Sequence, residues 1–227
     1  MKVRTALYRA GGFRVLDRLT WLGHAGFYLD GPPSIYVDPF RVDGGPPADV
    51  VLITHVHYDH CSPVDLRKIV TDSTTILCPS DCVTSLRSLP GSRRLMEPGS
   101  KVAFDSVTIE AVPAYTRKSR MHGRENGWLG YIVEMGGVRW YHAGDTDYIP
   151  EMRQIRADIA CLPISGGETM NLVEAAAAAN CISPRVVVPM HYGTLPGDDV
   201  DPELFRNLTR VRVQTLQRAV WTGGDEE

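Results

Sequence analysis

Residues Val50-Val51-Leu52-Ile53-Thr54-His55-Val56-His57-Tyr58-Asp59-His60 decide how this chain is read. The first four are apolar and mostly β-branched, the character of a buried strand, and three imidazoles and a carboxylate follow where it ends. In extended geometry His55 and His57 fall on one face, because side chains two apart on a strand point the same way. Asp59 and His60 are consecutive and need a turn or a helix start to aim together. Ser62-Pro63-Val64-Asp65 supplies one, with a capping serine, proline at the first helical position and an acid in the first turn. Two groups of ligand-type side chains therefore face one pocket from two backbone conformations. Neutral imidazole and carboxylate suit zinc and neighbouring divalent metals, and burying charge this dense is costly without a cation.

The pattern of an apolar strand running into a polar ligand type recurs downstream. Val138-Tyr141 precedes His142-Ala143-Gly144-Asp145-Thr146, and Val186-Met190 runs into His191-Tyr192-Gly193. His122 lies in a loop. Three strand ends and one loop histidine can converge at one sheet edge, where function gathers on loops held by a rigid scaffold.

The His55-to-His60 run, His142-Ala143-Gly144-Asp145-Thr146 and Pro189-Met190-His191-Tyr192 resemble the metallo-β-lactamase superfamily. Trp21-to-Phe27, Val37-Asp38-Pro39-Phe40, Leu162-Pro163-Ile164 and Thr169-Met170 are similar to its branch of L-ascorbate-6-phosphate lactonases and related metal-dependent hydrolases. The resemblance runs from about Thr20 to Tyr192. It implies an αββα sandwich, an α+β fold with mixed sheets and outer helices, where strand and helix patterning alone gives α/β or α+β. It further implies that His55 and His57 hold a first metal, Asp59 and His60 a second, that Asp145 bridges both, and that His191 completes the second. Many relatives place a histidine directly after a Pro-Ala-aromatic tripeptide, but here Pro113-Ala114-Tyr115 is followed by Thr116. His122 is expected to substitute; the alternative is an open first site and a mononuclear enzyme. The donors are nitrogen and oxygen only, so two divalent ions are expected, zinc first, with manganese, iron and nickel open.

Such ions, about 3.5–4 Å apart, share a water and lower its pKa toward neutrality for attack on carbon or phosphorus. Asp59 is expected to orient that water besides binding metal. Tyr192 either donates a hydrogen bond to the developing oxyanion or packs. His24 is expected to support a ligand or face the substrate, with a structural histidine as the alternative. For His142 a hydrogen-bonded core role or one supporting a ligand is expected, rather than ligation. Asp38 either receives the second ring N–H of a liganding histidine or shapes a turn.

With 227 residues, 43% hydrophobic and 22% charged, the chain suits one globular domain over residues 1–227. A formal charge of −3 gives no general reason to expect nucleic acid or an acidic membrane as partner. Five scattered cysteines point to reduced thiols and a cytoplasmic setting rather than a disulfide scaffold. Met1-to-Thr5 lacks a signal-peptide core, no stretch is long enough to span a bilayer, and residues 223–227 read as a disordered tail. A homo-oligomer is left open.

Strand candidates are Arg18-Leu22, Gly26-Leu29, Ile35-Val37, Val50-Ile53, Thr75-Leu77, Lys101-Phe104, Val107-Val112, Leu129-Met135, Val138-Tyr141, Asp158-Pro163, Val186-Met190 and Val211-Thr215. Gly136-Gly137 marks a hairpin. Helices are expected over Pro63-Val70, Pro79-Leu86, Asn171-Asn180, with Thr169 as its possible cap, and Pro202-Leu208.

Arg117, Lys118, Arg120 and Arg124 surround His122, so a small anionic ester, lactone or phosphodiester is the favoured substrate if this basic loop serves the site. Its glycines, Gly123 and Gly127, allow it to act as a lid; a solvated charged loop is the alternative. A nuclease or phosphodiesterase acting on nucleic acid is the main enzymatic rival, and a catalytically silent metal-binding protein the non-enzymatic one. Di-iron redox and glyoxalase II-like thioesterase readings fit less well, for want of a glutamate in place of His57 and of a helical C-terminal domain.

Overall fold

The computed structural model describes residues 12–219 and Trp221. Its first sheet contains, in spatial order, β1 (Leu19–Gly23), β2 (Gly26–Leu29), β3 (Ile35–Val37), β4 (Val50–Leu52), β5 (Thr75–Cys78) and β6 (Ser92–Leu95). The second contains β7 (Lys101–Phe104), β8 (Val107–Pro113), β9 (Leu129–Met135), β10 (Val138–His142), β11 (Ile159–Pro163) and β12 (Val186–Met190), with β12 at one edge and β7 at the other. Each sheet changes from antiparallel to parallel partway across: β3 to β6 are parallel in the first, β10 to β12 in the second.

The composition of the strands explains the difference. β11 and β12 are apolar at nearly every position and buried throughout, as strands covered on both faces must be. β7 and β8 carry charged or polar residues at alternate positions and show them to solvent. Gly136 and Gly137, at φ of 58° and 76°, turn the β9–β10 hairpin, a conformation that a side chain would resist.

The crossover from β11 to β12 passes through α4 (Leu172–Ile182). Asn171 and Glu174 form a reciprocal capping box at its start, and Ala175, Ala176, Ala178 and Ala179 are buried on its inner face. Asn171, not Thr169, is the cap, because its side chain reaches the N–H groups of Val173 and Glu174.

Between the sheets, Phe27, Leu29, Val37 and Leu52 meet Ile109, Tyr131, Val133 and Trp140 in one core. Each such side chain contributes about 1.5–3 kcal/mol by leaving water. The outer face of the first sheet, with Tyr36, Val51, Ile53 and Ile76, is covered by residues of α2 (Pro63–Leu66) and α3 (Val83–Leu86). Helices outside two facing sheets give the αββα sandwich.

Some expectations are corrected. The helix expected over 63–70 is regular only to Leu66, and that over 79–86 splits into a 3-10 turn (Ser80–Cys82) followed by α3. Val211-Thr215 forms no strand; it contributes one parallel bridge, Val213 to Val187. α5 (Pro202–Leu208) has the expected bounds. β6 and α1 (Gly12–Asp17) were not anticipated, β6 because Ser92-Arg93-Arg94-Leu95 is a polar, largely exposed edge without an apolar run. After Val213 the chain crosses to the first sheet, where Arg218 bridges Trp21 and the Ala219 N–H donates to the Trp21 carbonyl at 2.8 Å. Among the described residues, no helix is long and apolar enough to cross a membrane. Met1-to-Thr5 and residues 223–227 lie outside the described residues.

Candidate metal centre

The site forms where β4 runs out between the two sheets. The Ile53 N–H donates to Leu77 in the first sheet at 2.9 Å, and the Thr54 carbonyl accepts from Leu129 in the second at 3.0 Å. The chain then closes one turn, with the N–H groups of His60 and Cys61 donating to the His57 carbonyl at 3.0 and 2.7 Å. That turn swings Asp59 and His60 back toward His55. Gly144, at φ 65°, turns the end of β10 so that Asp145 enters the same space; a Cβ there would stand 2.5 Å from the Leu129 carbonyl oxygen.

Asp145 sits at the centre. Its Oδ2 lies 3.3 Å from His60 Nε2, 3.3 Å from His191 Nε2 and 3.8 Å from His55 Nε2. On one side His55 Nε2 and His57 Nδ1 face each other at 3.2 Å, with the His122 ring 4.6 Å from that of His57. Donor atoms of His55, His57 and His122 lie within 4.8 Å of one another, as do those of Asp59, His60, His191 and His24, and those of His55, His60 and Asp145. The structure thus brings together all seven residues expected to bind metal, His122 included, from elements far apart in the chain. His122 arrives on a 3-10 turn (Arg120–His122) capped by Ser119, and Trp128 packs on the rings of His55, His57 and His122.

Unmet bonding capacity tests whether divalent cations fit. His60 Nε2, His122 Nδ1 and Asp145 Oδ1 are buried without a hydrogen-bond partner. The 3.3 Å approach of His60 to Asp145 is close but is not a hydrogen bond. Leaving such groups unsatisfied costs about 1–3 kcal/mol apiece, and a cation among them removes that cost. The donor set, imidazole and carboxylate without thiolate, fits zinc and its first-row neighbours.

Supporting hydrogen bonds set the ring orientations. His60 Nδ1 donates to Asp38 Oδ2 at 2.8 Å, and Asp38 also accepts from the Thr54 N–H at 2.8 Å and the Thr54 hydroxyl at 2.6 Å. Because that hydroxyl gives its proton to Asp38, it accepts from His55 Nδ1, 2.9 Å away, which leaves the His55 Nε2 lone pair free toward Asp145. His191 Nδ1 pairs with Ser165 Oγ at 2.9 Å, and His24 Nε2 donates to Asp59 Oδ2 at 3.0 Å. His24, Asp38 and His191 all hold positive φ, at 51°, 42° and 58°, a conformation uncommon outside glycine and concentrated at functional sites.

The electrostatics divide the cluster. Burial pushes the His122 imidazolium down to about 4 and His55 well below its ordinary value, so both rings are neutral at neutral pH. Burial also opposes charge on His60 and His191, but Asp145, joined at His60 by Asp38, outweighs it and raises both. Asp145 is correspondingly held well below the carboxylate range: burial would raise it, and His191 and His60 overcome that. Asp59 is brought down to about 2, its burial outweighed chiefly by the His24 hydrogen bond.

For three features the sequence left alternatives open. His24 is fully buried beneath Asp59 and supports that carboxylate, one of the two roles expected for it. Tyr192 stacks on Trp21 with ring centroids 5.0 Å apart and does not line the cavity over the metal cluster, so packing, not oxyanion contact, describes it. The basic loop also turns elsewhere. Lys118 Nζ binds Asp147 at 3.0 Å and Glu174 at 2.7 Å, Arg124 binds Glu151 at 3.0 Å, and Arg117 and Arg120 line a separate cleft with them. Among the described residues, no lysine or arginine lines the 430 Å³ cavity above His57, Asp59, Asp145 and His191. His142 has the expected core role, Nε2 donating to the Ala25 carbonyl at 2.8 Å. Thr54, Ser165, Glu168 and Asp198 were missed. Ser165 follows the apolar run of β11, the same strand-end signal that marked Asp145 and His191.

Known proteins with this combination of sheets and donors agree in class. A model of the beta-lactamase superfamily domain matches residues 18–191. The UPF0173 metal-dependent hydrolase of Archaeoglobus fulgidus is 33% identical over 228 residues, covering 92% of this chain and 97% of that protein. Its counterpart in Pyrococcus furiosus is 34% identical over 214 residues, covering 88% and 95%. A crystal structure from Parabacteroides distasonis, described as that of a metal-dependent hydrolase, has a TM-score of 0.74 at 32% identity and covers 88% of this chain and 93% of its own. The fold and the histidine–aspartate cluster are those of the metallo-β-lactamase superfamily. Within it, the chain belongs to the UPF0173 metal-dependent hydrolases.

Proposed function

We propose that this metal-dependent hydrolase works with a pair of divalent ions, zinc first among candidates, and cleaves an ester or lactone bond in a small molecule. The observation that carries the reading is Asp145, whose Oδ2 stands within 3.3–3.8 Å of imidazoles from both donor groups. His55, His57 and His122 would hold one ion, Asp59, His60 and His191 the other, and Asp145 both. When bound, the ions supply Lewis acidity and a water with pKa lowered toward neutrality.

The chain's own residues do the rest. Thr54 and Asp38 keep His55 and His60 in the tautomers that present Nε2. His24 holds Asp59 ionised and aimed, and Ser165 does the orienting for His191. The cavity, at 430 Å³, is of a size for a small molecule. The test is hydrolysis of a lactone and a phosphodiester side by side by metal-replete protein, with Asp145→Ala as control. Lactone turnover that disappears in the variant is expected; turnover of the phosphodiester alone would move the reading to phosphoryl chemistry, and turnover that survives in the variant would overturn it.

A further inference from the structure

From the residues that wall the cavity, we infer that Glu168 is a specificity-determining residue, which receives a cationic or N–H-bearing group of the substrate and disfavours substrates with a free phosphate or carboxylate. The inference rests on the two-ion reading above.

The first observation is the balance of charge. The side chains lining the cavity include four carboxylates, those of Asp59, Asp145, Glu168 and Asp198, and no lysine or arginine. Two divalent ions bring four positive charges, which these carboxylates cancel. The loaded cavity has no surplus positive charge to attract an anion, and the wall beyond the ions, Glu168 and Asp198, is negative.

The second is the state of Glu168 itself. Its Oε2 is buried and has no hydrogen-bond partner. A carboxylate oxygen shielded from water and left without a donor is costly, and a donor on the substrate relieves that cost.

The third is how Glu168 is presented. Gly166 and Gly167, at φ 83° and 63°, form a turn closed by Gly166 N–H to the Met170 carbonyl and Thr169 N–H to the Gly166 carbonyl, both 3.0 Å. Ser165, just before the turn, bonds His191, and the Thr169 carbonyl, just after Glu168, accepts from Lys118 at 3.1 Å. Both ends of the turn are anchored, one of them on a candidate metal ligand, so the backbone that carries Glu168 is held at a fixed place relative to His191. Preorganisation of this kind is what turns a charge into a recognition element.

Three hydroxamates with one metal anchor and different tails test this on zinc-loaded protein: γ-aminobutyrohydroxamate (cationic), butyrohydroxamate (neutral) and succinate monohydroxamate (anionic). Binding is read by calorimetry, so no substrate need be known. The cationic tail is expected to bind roughly tenfold tighter than the neutral one, the worth of a charge-assisted hydrogen bond, and the anionic tail weakest. In Glu168→Gln the ratio of cationic to neutral affinity falls toward one. An anionic tail that binds tightest, or a ratio unchanged in Glu168→Gln, overturns the inference and leaves the metal centre standing. Failure to take up zinc, read in the preceding metal titration, overturns the metal centre and the inference with it.

Discussion

His60 Nδ1 and Asp38 Oδ2 stand 2.8 Å apart with both side chains fully buried, so the ring that presents Nε2 to Asp145 is fixed from behind by a carboxylate that water does not reach. Asp38→Asn tests this support, because asparagine tolerates the positive φ of the position and its amide oxygen at Oδ1 can still accept from the Thr54 N–H, while an amide nitrogen at Oδ2 faces both His60 Nδ1 and the Thr54 hydroxyl. Zinc affinity is expected to fall roughly 10- to 100-fold, the usual cost of removing a partner of a liganding histidine, as measured by chelator competition. An unchanged affinity would remove Asp38 from the site.

His122→Ala tests the replacement of the missing histidine at Thr116. The variant keeps Asp59, His60, Asp145 and His191, so its zinc content after dialysis should drop from about two ions per chain toward one, in line with the donor count each ion requires. Two retained ions would show that His122 is not needed for the first.

Proton release distinguishes the two halves of the cluster. His60 and His191 are raised and so hold their protons to higher pH in the metal-free protein than His55 and His122, which are lowered. Zinc uptake near pH 7 should release protons from the His60 and His191 side, and the release should fade as pH rises past the raised values. The sign for stability follows. The two raised histidines stabilise metal-free protein below their ordinary value of 6.5 and lose that effect as pH rises, while His122 destabilises it as pH falls from 6.5 toward about 4. Calorimetry in two buffers of different ionisation enthalpy reads the release; its absence would contradict the arrangement.

Gly144→Ala joins fold to site. The added Cβ meets the Leu129 carbonyl oxygen at 2.5 Å and the residue must hold φ 65°, so about 1–3 kcal/mol of stability should be lost in urea unfolding. Since Asp145 follows directly, metal affinity should fall as well. Full affinity in the variant would show that the turn is not what aims Asp145.

Much of this site was legible because ligand-type residues at strand ends announce themselves: His55, Asp145 and His191 each follow a buried apolar run, and His57, Asp59 and His60 complete a tight motif. His122 needed the absence of a histidine at Thr116 to be noticed. The fate of Arg117, Lys118, Arg120 and Arg124 was not legible, since a charged loop reads the same whether its side chains reach a cavity or, like Lys118, reach Asp147 and Glu174 from distant segments. Glu168 and Asp198 sit in glycine-rich loops with no period to place them. β6 escaped because an exposed edge strand lacks the apolar alternation by which strands are found.

The segment from Val213 to Arg218 pairs at one end with β12 and at the other with β1, the outermost strands of different sheets. Unpaired strand edges are where protein chains recruit one another. One short stretch of chain thus blunts two adhesive edges, and cutting it away would leave both open to pairing with another chain.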